Sequence, residues 1–163
     1  MTEQTARQPD YYSDIETYGK FGEEIFLSDY DNLKIKDVRN SKFYQQADVD
    51  FIVNDKWFVE VKVDTVALKT GNLAFEVISH GSLGWSSVTQ ADFVYIVLAE
   101  DNPLRAVKAL IVNMQMWREY CANRNTIKKI NKIEAENIID ILCPISELKK
   151  HNVIVKEKNN EML

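Results

Sequence analysis

Apolar and polar positions divide the 163-residue chain into a short series of segments. Ile15, Tyr18, Phe21, Gly22, Ile25 and Phe26 recur at helical spacing and predict a helix ending near Leu27. Ser13 and Glu16 form an S-x-x-E capping box at its start, and SDYDN at 28–32 breaks it. LKIKDVR at 33–39 alternates weakly, as a strand does, and NSKFYQQ reads as a loop. ADVDFIV and KWFVEVKVD then predict two strands joined by a two-residue turn at Asn54-Asp55, a hairpin signal. TVALKTGN reads as a loop turning at Gly71-Asn72, and LAFEVIS at 73–79 as a third strand. HGSLGWSS is Gly- and Ser-rich, and SVTQAD suits a short helix. FVYIVLAE is a continuous apolar run, the pattern of a strand covered on both faces. Beyond Pro103, AVKALIVN predicts a strand leading into a helix through MQMWREYCANR. NIIDILCPI is a late strand, and SELKKH a short helix capped by Ser146. Residues 1–12 are polar and read as a disordered tail, while 13–163 carry no repeat or linker and read as one domain. The order of elements predicts an α/β (α+β) sandwich, a mixed central sheet with helices on both sides.

The hairpin carries charges where strands usually avoid them, because a buried charge is costly unless it is paired or binds a metal. Alternation puts Asp48 and Asp50 on one face of the first strand, and Glu60, Lys62 and Asp64 on one face of the second. A two-residue turn sets Asp50 opposite Val59, one residue from Glu60, so a bulge or slip brings Asp50, Glu60 and Lys62 onto one patch. Two carboxylates with a main-chain carbonyl, that of Val61, form a hard oxygen site suited to Mg²⁺ or Mn²⁺. A lysine beside them, its pKa lowered by metal charge and burial, orients or deprotonates an attacking water. Metal-dependent phosphodiester hydrolysis needs such an arrangement. Plainer readings stand beside it. Glu60–Lys62 as a surface ion pair is worth at most about 1 kcal/mol. Asp48 and Asp64 read as solvated strand ends, His80 as a loop histidine and Trp85 as a core anchor, while Glu76 divides evenly between site and surface.

DVDFIVNDKWFVEVK resembles the core of the PD-(D/E)XK nuclease superfamily, the restriction-endonuclease-like fold. There an Asp on one strand is followed, after a turn, by E-x-K on the next, as Asp50 and Glu60-Val61-Lys62 stand here; the nominal proline is replaced by Val49. FGEE at 21–24 resembles the helical glutamate of many members, Holliday-junction resolvases among them, with Glu23 the first choice and Glu24 the second. GNLAFEVIS and GWSSVTQADFVYIV resemble the continuation in phage-type members, so the likeness spans about 13–100. It implies a Mg²⁺- or Mn²⁺-dependent DNA endonuclease of phage or mobile-element type, with Asp50, Glu60, Lys62 and Glu23 catalytic and Asp50, Glu60 and Val61 on the metal. A chain this small suits a homodimer for cutting two strands. The alternative is a catalytically inactive relative that binds DNA or protein.

Charge and cysteines alter this little. A net charge of −5 and a pI near 5.1 argue against a dedicated basic nucleic-acid binder, though local basic patches lie at 34–42, 123–132 and 148–150. Cys121 and Cys143 offer neither a disulfide framework nor zinc spacing. The longest apolar runs are too short for a bilayer and no leader is recognisable, so a cytoplasmic protein is expected.

Overall fold

The computed structural model describes residues 11–159. Residues 1–10 of the expected tail lie outside that range. Helix α1 runs Tyr11–Asp29, so Ser13 falls inside the helix and not at its cap. The strands, in chain order, are β1 (Ile35–Asp37), β2 (Phe51–Val53), β3 (Trp57–Asp64), β4 (Asn72–Ser79) and β5 (Ser82–Leu83). They continue with β6 (Phe93–Glu100), β7 (Arg105–Asn113), β8 (Lys129–Ile133), β9 (Ile138–Pro144) and β10 (Ile154–Asn159). The other helices are α2 (Lys42–Gln46), α3 (Ala67–Thr70), α4 (Trp85–Val88), α5 (Met114–Ala122) and α6 (Ile145–Lys150).

The strands form two sheets. The larger is ordered β1-β2-β3-β6-β7-β10 and is mixed, as expected: β3 and β6 run parallel and every other neighbouring pair antiparallel. Parallel neighbours need a crossover, and residues 65–92 supply it. The crossover carries β4 out of the main sheet into a second one, ordered β5-β4-β9-β8. The strand predicted at 73–79 therefore exists but does not belong to the central sheet.

Each face of β6 is covered differently. Tyr95 and Val97 meet α1 through Phe26, together with Phe51, Val59 and Val61. Val94, Ile96 and Leu98 meet Leu73 and Phe75 of the second sheet, with Trp117 and Leu148 from α5 and α6. The expectation of helices on both sides is thus corrected: one face has a helix, the other a sheet with short helices around it. An apolar run such as 93–99 reports burial of both faces and cannot say by what.

Several local features also differ. Residues 42–46 are a short helix where a loop was read, and 67–70 form one helical turn ended by Gly71 at φ +71°. The helix expected over 87–92 sits earlier, at Trp85–Val88. Pro144 and not Ser146 caps α6. Strand β8 lies in the 123–132 segment read only as a basic patch, and β10 gave no signal. Among the described residues no helix is long and apolar enough to cross a membrane.

Candidate active site

The site begins with the hairpin register. Asn54 and Asp55 both take positive φ (52° and 55°), residues for which Asn and Asp are favoured. Val53 pairs with Trp57 and Phe51 with Val59, so the loop has three residues where two were expected. The extra residue moves the register by one within the strands, and beyond Phe51 the pairing departs from it: Asp50 N–H donates to the carbonyl of Val59 (3.0 Å), the residue already paired with Phe51, as at a bulge. β2 supplies no partner beyond Phe51↔Val59, because the first hairpin strand starts at Phe51 and not at Ala47. The free edge of β3 is where the predicted side chains meet. Asp50 Oδ2 accepts the Val61 N–H there (2.9 Å), taking the place of the missing strand.

Glu60 and Lys62 register with Val94 and Ile96 and share their face, at the rim of the core beneath the second sheet. The Glu60 side chain is only 5% exposed and that of Lys62 30%, with Lys62 Nζ 2.5 Å from Glu60 Oε1. The surface-ion-pair and wet-face readings of this strand are therefore wrong. Lys62 Nζ also lies 3.7 Å from Asp48 Oδ2 and 5.6 Å above the Trp85 ring. Asp48, read as a solvated strand end, is three-quarters buried, adopts φ +52°, and has no hydrogen-bond partner on Oδ2. Asp64 instead serves the fold, its Oδ1 accepting from Val66 N–H and Ala67 N–H at the start of α3 (2.8 and 2.7 Å).

Helix α1 reaches the same edge from the opposite face of the sheet. It crosses β3 at Gly22, where a Cβ would stand 2.7 Å from Val63 Cγ2 and 3.1 Å from Val61 Cγ1. That close approach places Glu23 over a cavity of about 340 Å³ lined by Tyr18, Gly19, Glu23, Asp50, Glu60, Val61, Lys62 and Val63. Glu24 is exposed and does not line it. Glu23 is nevertheless committed to a partner that the sequence did not suggest, the Arg39 guanidinium. Arg39 is held in turn by Asp37 (Nε–Oδ1 2.9 Å, Nη2–Oδ2 2.6 Å) and lies over the Phe51 ring. Glu76 belongs to β4, opposite Asp140 in the second sheet, and does not line the cavity. His80 is an exposed loop residue, and Trp85 packs on Phe75.

Electrostatics follow from this crowding. Burial pushes the Glu60 carboxyl up to about 8 against the lowering pull of Lys62, and the charges of Asp50 and Asp48 add to the rise. Burial likewise raises Asp50, partly offset by the Val61 N–H, and raises Asp48, partly offset by Lys62. Burial also raises Glu23 despite Arg39. Desolvation pulls the Lys62 ammonium down, but Glu60, Asp48 and Asp50 outweigh it and hold it above its ordinary value. The sequence expectation of a lowered lysine pKa is thus not met by the protein groups alone. Three carboxyls face one ammonium, and with all three ionised the desolvated pocket would hold two excess negative charges, which is why the metal-free site favours a proton on Glu60. Hard oxygens with that excess charge fit a divalent cation. The candidate donors are Asp50 and Glu60, with Glu23 on the helix side. Among the described residues no group of three or more His, Cys, Asp or Glu side chains forms a ready metal cluster. Cys121 and Cys143 are free thiols away from this cavity.

Comparison with protein-family models, curated proteins and solved structures returns no match to this chain.

Proposed function

We propose that the chain is a metal-dependent DNA endonuclease of PD-(D/E)XK type, hydrolysing phosphodiester bonds at the free edge of β3. The observation that carries this reading is the burial of Asp50, Glu60 and Asp48 around Lys62 beside an open cavity of about 340 Å³. Crowding three buried or partly buried carboxyls around one ammonium is unfavourable for stability, and such a cluster beside a cleft is a functional-site candidate. Asp50 and Glu60 would hold Mg²⁺ or Mn²⁺ with the Val61 carbonyl, and Glu23 would complete the set from α1. When bound, such an ion polarises a phosphoryl oxygen and lowers the pKa of a coordinated water. Lys62, kept as an ammonium by its carboxylates, donates hydrogen bonds that orient the attacking water and offset charge on the phosphate. Gly19 leaves the cavity wall without a side chain, which gives a backbone phosphate room to enter. The 34–42 segment flanks the cavity through Arg39, and Lys36 and Lys42 are exposed along it, which suits a polyanionic substrate.

The test is cleavage of supercoiled, single-stranded and branched DNA with Mg²⁺ or Mn²⁺. Metal-dependent nicking that disappears in Lys62→Ala is expected; no cleavage of any of the three substrates refutes the reading. The second reading, an inactive relative that binds DNA or protein, draws on the ammonium already seated on Glu60. It requires that a Mn²⁺ titration find no site.

A further inference from the structure

Lys62 Nζ lies 2.5 Å from Glu60 Oε1. An ammonium and a divalent cation on one carboxylate repel each other, so an ion bound at Glu60 favours a second place for the ammonium. Asp48 offers a second acceptor. Asp48 Oδ2 is buried, has no hydrogen-bond partner, and lies 3.7 Å from Nζ, while the Trp85 ring already supports the ammonium at 5.6 Å.

Asp48 is also held where it is by construction. Its φ of +52° is left-handed, a conformation that Asp adopts more readily than most residues with a Cβ, and neighbouring hydrogen bonds hold it there. Asp48 N–H donates to the Gln45 carbonyl (3.2 Å), its own carbonyl accepts from Thr89 Oγ1 (2.9 Å), and the Ala47 carbonyl accepts from Gln90 N–H (2.8 Å). A carboxylate oxygen left buried without a donor is costly, and the backbone carrying this one is fixed by the local turn at Gln45 and by the distant Thr89-Gln90 segment.

We propose that Asp48 is a positioning residue for Lys62: the acceptor to which the ammonium shifts when a divalent cation replaces it on Glu60. The inference rests on the metal-dependent reading above. Lys62 exchanges Glu60 for Asp48 and stays at the edge of the cavity, where its remaining N–H groups face the substrate. Asp48 itself touches neither the cation nor the phosphate.

A double-mutant cycle on the full chain tests this, with Mn²⁺ alone as probe and binding followed by calorimetry. Asn tolerates left-handed backbone well, so Asp48→Asn keeps the local conformation, and a metal-free melt checks it. With Lys62 present, Asp48→Asn is expected to weaken Mn²⁺ binding roughly five- to tenfold, the size of one partly buried ion pair. In a Lys62→Ala background the same change is expected to alter binding less than about twofold. Equal weakening in both backgrounds overturns the proposal, because Asp48 would then be a ligand or a general source of charge. No weakening in either overturns it too. A crystal structure of the unmodified chain with Mn²⁺ bound gives a second readout: Nζ within hydrogen-bond reach of Asp48 is expected, and Nζ still on Glu60 beside the ion refutes the exchange. An unmodified chain that binds no Mn²⁺ brings down the metal reading itself, and this inference with it.

Discussion

Replacing Asp50 by Asn removes one charge from the pocket and little else. The Val61 N–H that Asp50 Oδ2 accepts at 2.9 Å is accepted equally well by an amide oxygen. The hydrogen bond, worth about 1 kcal/mol, is therefore kept. The new amide nitrogen faces Glu60, which gains a donor in place of a like charge. Burial holds the Asp50 carboxyl above its ordinary value. A carboxyl raised on folding binds more protons folded than unfolded, so its contribution falls as pH rises from the ordinary carboxylate range through its folded pKa. Asn has no such loss. Metal-free Asp50→Asn is thus expected to stay within about 1 kcal/mol of the parent near pH 5 and to gain on it towards pH 8. Asp50→Ala leaves the Val61 N–H unpaired and is expected to fall about 1–3 kcal/mol below Asn, a few to about ten degrees in Tm for a chain of this size. Unfolding by heat or urea in chelator at both pH values measures these differences, and a calorimetric Mn²⁺ titration reads the site, where Asp50→Asn is expected to abolish binding. An Asn variant that loses more than about 2 kcal/mol at pH 8, or binds Mn²⁺ as tightly as the parent, refutes the reasoning.

Three further outcomes are expected. Lys62→Ala should bind Mn²⁺ and DNA at least as well as the parent while cleavage falls by orders of magnitude, since the lost interaction belongs to the transition state; cleavage at the parental rate would return Lys62 to a structural role. Glu23→Gln should weaken Mn²⁺ less than Asp50→Asn does, because Arg39 already engages that carboxylate, and Glu24→Gln should change nothing; a larger effect at Glu24 in the same titration reverses the assignment. Gly22→Ala should cost about 1–3 kcal/mol in urea unfolding, since the added Cβ meets two β-branched valines that cannot swing away, and a stabilised variant would show that α1 can lift off β3 freely.

The sequence by itself determined the hairpin, the buried strand at 93–99, the first helix, and Asp50, Glu60 and Lys62 among the residues that meet on the β3 edge. These are signals of local period and residue chemistry: alternation around Val59, Val61 and Val63, an unbroken apolar run, and a Glu and a Lys inside a strand. The resemblance, through the Gly22-Glu23 pattern, favours Glu23 over Glu24, and the place of Glu23 at the edge of a helical stripe agrees with that choice. Tertiary structure decided what period cannot encode. One residue of loop length, set by left-handed Asn54 and Asp55, moved the register, and the end of β2 at Phe51 freed the Asp50 carboxylate to reach the Val61 N–H. Departure of β4 into a second sheet was invisible, since a strand's alternation is the same whichever strand it pairs with. Arg39 on Glu23 and Asp48 near Lys62 are contacts across 16 and 14 residues, made by chain reversals that leave no periodic trace. Burial of Glu60, and the raised carboxyl that follows from it, depends on the tertiary packing around that face of β3. A charge in a strand can face water or protein; only the layer packed on top decides which.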